Sequence, residues 1–175
     1  MTNFQKYSGS GDAEHPAYSL ETFNKFVFPL IDHLFCKEKR VLDVGCGNGR
    51  HSKLFSPLVD SVVAIDGFMN ADTSDFSNIE FKRLELLDED GSYDLIFCHG
   101  VFYHMFGMHG SKAFSKLLSL LNSGGRLIIL EGDWLRENKG YNMDDLVNSH
   151  VCSYETSEHI FNWGSSGGRL TVILK

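Results

Sequence analysis

With 175 residues, 42% of them apolar and 22% charged, the chain is long enough to bury a core and has the composition of one globular domain. Sixteen Lys and Arg against 23 Asp and Glu leave a formal charge of −7, which argues against a surface that tracks DNA phosphates. Four scattered cysteines without a Cys-x-x-Cys pair, the absence of a membrane-length apolar run and a polar opening unlike a signal peptide point to a reduced cytoplasmic domain.

Residues 1–17, with Ser8-Gly9-Ser10-Gly11-Asp12 and His15-Pro16, have loop composition. They read either as a frayed terminus or as a flap over a ligand, with Tyr7 and Tyr18 as packing groups. Ser19 can cap a helix in which Leu20, Phe23, Val27, Leu30, Ile31 and Leu34 recur at helical spacing as a core stripe. Pro29 predicts a kink or two consecutive helices. Val41, Leu42 and Val44 predict a strand buried on both faces. Gly45, Gly47 and Gly49 follow at once, then a helix at Arg50–Phe55 limited by Pro57. A strand, a glycine turn and a helix start let a ligand lie against backbone amides. Asp43, just before the turn, can orient it or meet a cation. A dinucleotide-binding fingerprint would need its third small residue where Arg50 stands.

Ser61–Ile65 is the second predicted strand, ending at Asp66-Gly67-Phe68. Met69–Asn78, rich in Asn, Asp, Ser and Thr, leaves room for one or two helical turns. Ile79–Leu86 is the third strand and Tyr93–Cys98 the fourth, followed by a loop over His99–Gly110. Ser111–Leu121 predicts an amphipathic helix, capped by Ser111 and stopped by Gly124-Gly125; Arg126–Leu130 is the fifth strand. Asp144–His150 can form a helix capped by Asn142. Val151–Phe161 and Arg169–Leu174, joined by the Gly/Ser-rich Gly164–Gly168, predict an antiparallel hairpin. The whole chain, 1–175, reads as one domain, with a flap and helix at 1–38 and a core at 39–175.

The run Asp43-Val44-Gly45-Cys46-Gly47-Asn48-Gly49 resembles the first motif of the class I S-adenosylmethionine-dependent methyltransferases. Tyr93-Asp94-Leu95-Ile96-Phe97-Cys98 is similar to that family's fourth strand, and Gly124 to Glu131 to its entry into the fifth. The resemblance covers roughly residues 38–175. It implies a Rossmann-like, seven-stranded, mostly parallel α/β sheet in the order 3-2-1-4-5-7-6, with a terminal antiparallel β-hairpin and helices on both faces. It implies S-adenosylmethionine (SAM) as cofactor and S-adenosylhomocysteine (SAH) as product. The implied contacts are Asp43, Gly45, Cys46, Gly47, Asn48, Asp66, Gly67, Phe68, Glu85 and His99. Asp66 would accept hydrogen bonds from both ribose hydroxyls, at roughly 1.5–3 kcal/mol each, or would merely cap the next turn. Phe68 would face the adenine, and Glu85, or nearby Asp88, its amino group.

Methyl transfer from a sulfonium has a neutral leaving group, so alignment and exclusion of water dominate, with positioning worth about 7–11 kcal/mol. A general base adds about 10²–10⁴-fold and is needed only for a protonated nucleophile. His104 and His99 are the candidate bases, and Tyr103 could orient the acceptor; each could equally be a packing residue. Cys98-His99-Gly100-Val101 stands where DNA-adenine and release-factor enzymes carry Asn/Asp-Pro-Pro-Tyr/Phe, which argues against those chemistries. Asp133 suits one ligand of a catalytic metal, but His99 replaces the second acid, so no metal is expected. Gly132–Tyr141 is too short for a substrate lid. The acceptor pocket is expected from the N-terminal segment, His99–Gly110 and Trp134, with Phe102, Tyr103, Met105, Phe106 and Met108 as an apolar wall. The expected function is methylation of a small organic acceptor. Rival readings are a protein or RNA acceptor, a SAM-binding subunit without catalysis and, weakest, a nucleotide-dependent oxidoreductase.

Overall fold

Two five-residue runs of mostly apolar residues, Arg40–Val44 (β1) and Ser61–Ile65 (β2), pair in parallel with Val41 opposite Val62 and Val44 opposite Ile65. The structure, a computed structural model, describes residues 20–132, Leu146, Ser149, 155–162 and 167–175. Ile79–Lys82 (β3) joins the outer side of β2, and Tyr93–His99 (β4) the other side of β1, both in parallel. Leu121–Gly132 (β5) continues parallel to β4. The hairpin of Glu155–Asn162 (β6) and Gly167–Leu174 (β7) then closes the sheet, β7 running antiparallel to β5. The strand order is β3-β2-β1-β4-β5-β7-β6. A mostly parallel sheet ending in an antiparallel hairpin is the architecture that the motifs imply.

Alternation along β1 and β4 supplies two cores. Leu42, Val44, Ile96 and Cys98 face Phe102–His109 (α4) and Ser111–Leu120 (α5), packing with Phe102, Phe114 and Leu117. Val41, Leu95 and Phe97 face Leu20–Phe26 (α1), Phe28–Ile31 (α2) and Arg50–Phe55 (α3), packing with Phe23, Val27, Ile31 and Phe55. Each such buried side chain contributes about 1.5–3 kcal/mol of transfer free energy.

Several boundaries differ from the sequence reading. The first helix splits at Val27, as Pro29 predicts, but Leu30 is 37% exposed and leaves the expected stripe. The third strand stops at Lys82 rather than Leu86, because β2 ends at Ile65, opposite Lys82, and the last bond between the two chains runs from the Asp66 amide to the Lys82 carbonyl at 3.3 Å. Leu86–Asp88 instead forms a 3-10 turn, and 69–78 contain no helix. Gly110 (φ 58°), not Ser111, is the N-cap of α5, with no side-chain capping bond. That helix ends at Leu120, and Gly124-Gly125 fall within β5 at a register shift opposite Tyr93 and Leu95. Lys175 Nζ donates to the Leu118 and Leu121 carbonyls at 2.9 and 2.7 Å, covering the end of α5. The expected loop over His99–Gly110 is mostly α4. The N-terminal segment through Ser19, Asp133, Trp134, Asn142, most of 144–150 and Val151–Tyr154 lie outside the described residues.

Candidate active site

β1, β2 and β4 end at one edge of the sheet, with Val44 opposite both Ile65 and Cys98. The chain turns there through Gly45 (φ 66°) and Gly47 (φ 56°), a conformation that glycine adopts without strain. Gly45 and Cys46 both donate to the Ile65 carbonyl, at 2.9 and 3.1 Å, which binds the turn to the tip of β2. A Cβ on Gly45 would overlap the Val101 side chain, so the β4–α4 connection packs directly on the turn. A Cβ on Gly47 would meet nothing within 4 Å. Open space therefore lies over the middle of the turn.

Asp66 spans the two strand tips. Its Oδ2 accepts the Gly47 amide at 3.0 Å, and its Oδ1 accepts those of Phe68 and Met69 at 2.8 Å each. Asp66 thus does cap the following turn. With both Oδ1 lone pairs used, Oδ2 retains one acceptor position among the described residues, so the carboxylate suits one sugar hydroxyl better than two. Phe68 is 50% exposed beside it. A Cβ on Gly67 would overlap Glu85 Oε1, so the Glu85 carboxylate leans on the Gly67 backbone, next to Asp66 and Phe68. Asp66, Gly67, Phe68 and Glu85 form one cluster.

The remaining expected contacts differ in character. Asp43 is 2% exposed and accepts the Ser52 hydroxyl at 2.5 Å, tying β1 to α3; burial pushes its carboxyl up to about 6. The Cys46 side chain packs in the core, where burial raises its thiol pKa, and its Sγ donates weakly to the Gly47 carbonyl at 3.8 Å. Exposed Asn48 accepts the Arg50 amide at 3.3 Å through Oδ1. Half-buried His99 lies with Nδ1 3.3 Å from His51 Nε2 and stacks on Phe23, ring centroids 6.1 Å apart. Burial and the Arg50 charge lower its pKa to about 3, so His99 is neutral at physiological pH and is a poor general base.

His104 occupies the first turn of α4, half-buried, with its amide on the Val101 carbonyl at 3.1 Å. The Tyr103 side chain lies outside the described residues. The start of α4 is held by Glu131, a buried carboxylate on β5 whose Oε1 accepts the Phe102 amide at 2.7 Å. Glu131 and His51 are two residues that sequence reasoning passed over. His51, buried among Phe23, Phe55 and Phe97, was signalled by its i,i+4 spacing to Phe55 on α3. Glu131 carried the signal of a carboxylate at the carboxyl end of a parallel strand. Leu20 of α1, Asn48 of the turn and Arg50, Lys53 and Leu54 of α3 line a groove of about 320 Å³. Among the described residues no helix is long and apolar enough to cross a membrane.

The family model described as a methyltransferase domain matches residues 20–164. The chain belongs to the methyltransferase family. Two tRNA U34 carboxymethyltransferases, from Helicobacter hepaticus and Nautilia profundicola, are each 33% identical over 121 residues, which cover 57% and 58% of this chain. The matches span only 37% and 38% of those relatives' lengths. Among solved structures, the N-methyltransferase NodS from Bradyrhizobium japonicum, in complex with SAH, superposes with a TM-score of 0.75 at 16% identity over 99% of this chain and 96% of that one. A 1,6-didemethyltoxoflavin-N1-methyltransferase from Burkholderia thailandensis gives 0.69 at 13% identity, over 99% and 81%. These methyltransferases share the fold. SAM is the cofactor that the family implies. The residues present fit it: an acceptor position on Asp66, an exposed aromatic ring, a carboxylate on Gly67 and open space over Gly47.

Proposed function

We propose that this methyltransferase binds SAM across the tips of β1, β2 and β4 and transfers its methyl group to a small organic acceptor. The observation that carries the reading is the Asp66 carboxylate, tied to the Gly47 amide while retaining an acceptor position beside exposed Phe68. When bound, SAM supplies an electrophilic methyl on a sulfonium with a neutral leaving group. Asp66 would hold a sugar hydroxyl, Phe68 the adenine face and Glu85 the adenine amino group. The backbone at Gly45 and Gly47 would line the thioether, with Val101 as the opposite wall. His104, on the first turn of α4, would accept a proton from an acceptor that carries one. His99, held neutral against His51, would form a hydrogen-bonding wall and leave the proton to His104.

Isothermal titration with SAH and with NAD tests the cofactor assignment. Micromolar SAH binding with none for NAD is the expected result, and the reverse preference would sink it. A second reading, an RNA acceptor, is favoured by the names of the two tRNA-modifying relatives and opposed by the charge of −7. Labelled methyl transfer from SAM into small-molecule and RNA fractions of a cell extract separates them.

A further inference from the structure

We propose that His51 is a positioning residue: through its bond to His99 it fixes which ring nitrogen of His99 carries the proton at the tip of β4. The inference rests on the SAM reading above, which makes that tip a wall of the crevice. His51 is the second residue of α3, 4% exposed, and its Nε2 lies 3.3 Å from Nδ1 of half-buried His99. A hidden imidazole thus backs one at the rim of the site. Three phenyl rings hold the hidden one in place. Phe23 meets it edge-on at a centroid distance of 4.7 Å, Phe97 lies at 5.2 Å, and Phe55, one turn along α3, stacks on it at 6.2 Å. Phe23 also stacks on His99, so both imidazoles pack against a common ring.

A phenyl at position 51 would fill this aromatic nest at no polar cost, whereas a buried imidazole needs a hydrogen-bond partner. His99 is that partner. Burial keeps both rings in the neutral form, pushing His51 well below the usual histidine range and His99 down to about 3. Each neutral ring carries one proton, and only one proton fits between Nε2 of His51 and Nδ1 of His99. Where His99 supplies it, Nε2 of His99 is an acceptor. Where His51 supplies it, Nε2 of His99 is a donor. The contact therefore selects one hydrogen-bonding form of His99 at the β4 tip. A site that needs one form of a group binds in proportion to the fraction present in that form, so a fixed tautomer strengthens binding.

Nitrogen NMR of the isotope-labelled protein and isothermal titration with SAH, applied to His51→Phe and His51→Gln, test the proposal. Phe keeps the aromatic packing and deletes the bond, whereas a Gln amide can donate or accept in place of Nε2. In the unmodified protein His99 is expected as a single neutral tautomer from about pH 5 to about pH 8, coupled to the His51 nitrogen across the hydrogen bond. His51→Phe should show both tautomers of His99 and bind SAH roughly 2–10-fold more weakly, the range of one neutral hydrogen bond. His51→Gln should restore the single tautomer and the affinity. One His99 tautomer in His51→Phe, or unchanged SAH affinity in that variant, overturns the positioning role. Should His51→Phe fail to fold, the unmodified protein keeps the test decisive, because two His99 tautomers there, or no coupling to His51, overturn the role equally. An unmodified protein that binds no SAH refutes the SAM reading instead, and the spectra still report whether His51 fixes the tautomer of His99.

Discussion

Replacing Asp43 by Asn should make the protein more stable at neutral pH and slightly less stable in acid. The Asp43 carboxyl is 2% exposed and titrates near 6 in the fold against 3.8 in the open chain, its burial outweighing the Ser52 hydrogen bond. Because the folded pKa is the higher one, the fold holds this proton more tightly than the unfolded chain does. Its contribution is fully present below about pH 4 and is lost as pH rises through about 6. Two pKa units at about 1.4 kcal/mol each put the cost of the ionised form at roughly 3 kcal/mol. Asn keeps the shape and an acceptor for Ser52 without the charge, although its new amide donors need partners and trim the gain by about 1 kcal/mol. For a domain of this size the net gain corresponds to a Tm rise of roughly 4–8 °C. Thermal unfolding followed by circular dichroism from about pH 4 to about pH 8 should show the variant melting about 2–4 °C lower at the acid end and the two curves crossing as pH rises. A gap that is independent of pH, or an Asp43→Asn variant that melts lower at neutral pH, refutes the reasoning.

Asp66→Ala removes the acceptor of three backbone amides along with the proposed sugar ligand, so tight SAH binding should vanish in calorimetry; unchanged affinity would refute the sugar assignment. Gly67→Ala pushes only the flexible end of Glu85, and Gly67 is not at positive φ, so Tm should hold within about 2 °C while SAH affinity falls several-fold. A large fall in Tm at unchanged affinity would contradict that placement. His104→Ala should slow turnover about 10²–10⁴-fold at unchanged SAH affinity, measured by steady-state kinetics beside titration. Unfolding of that variant would instead make His104 a packing residue. With His99 neutral down to about pH 3, His99→Asn should leave any pH–rate limb between about 5 and 8 in place, and its disappearance would reassign the base.

The parts of the fold legible in advance are those in which local and tertiary preferences agree. β1, β2 and α3 fall where the apolar runs and glycine turn put them, because buried parallel strands need near-continuous apolar residues and turns at positive φ need glycine. Misreadings cluster where a distant partner decides. Nothing in Ile79–Leu86 reveals that the chain after β2 makes its last bond to β3 from the Asp66 amide to the Lys82 carbonyl, so the third strand reads longer than its ladder. Gly124 looks like the end of a helix from its neighbours alone, yet its amide donates to the Lys175 carbonyl and the glycine pair enters β5. The His99–Gly110 stretch reads as a loop because Phe102 has no capping residue nearby in sequence. Its cap is the Glu131 carboxylate on another strand.

The site divides along the same line. Asp66 and the glycine turn could be placed at the strand tips in advance, because the ends of apolar runs and turns at positive φ are set by neighbouring residues. His99 was legible as a residue but not as a chemical species. A histidine at the end of the fourth strand suggests a base, and only its packing against His51, Phe23 and Phe97, with the Arg50 charge, shows why the imidazole stays neutral. The same burial that disqualifies His99 as a base gives it another property. In the neutral pair one ring must donate and the other accept, so the tautomer of His99 is coupled to that of His51. His51 sits on the helix that begins at the glycine turn, so this contact ties that helix to the β4 tip across 48 positions of sequence.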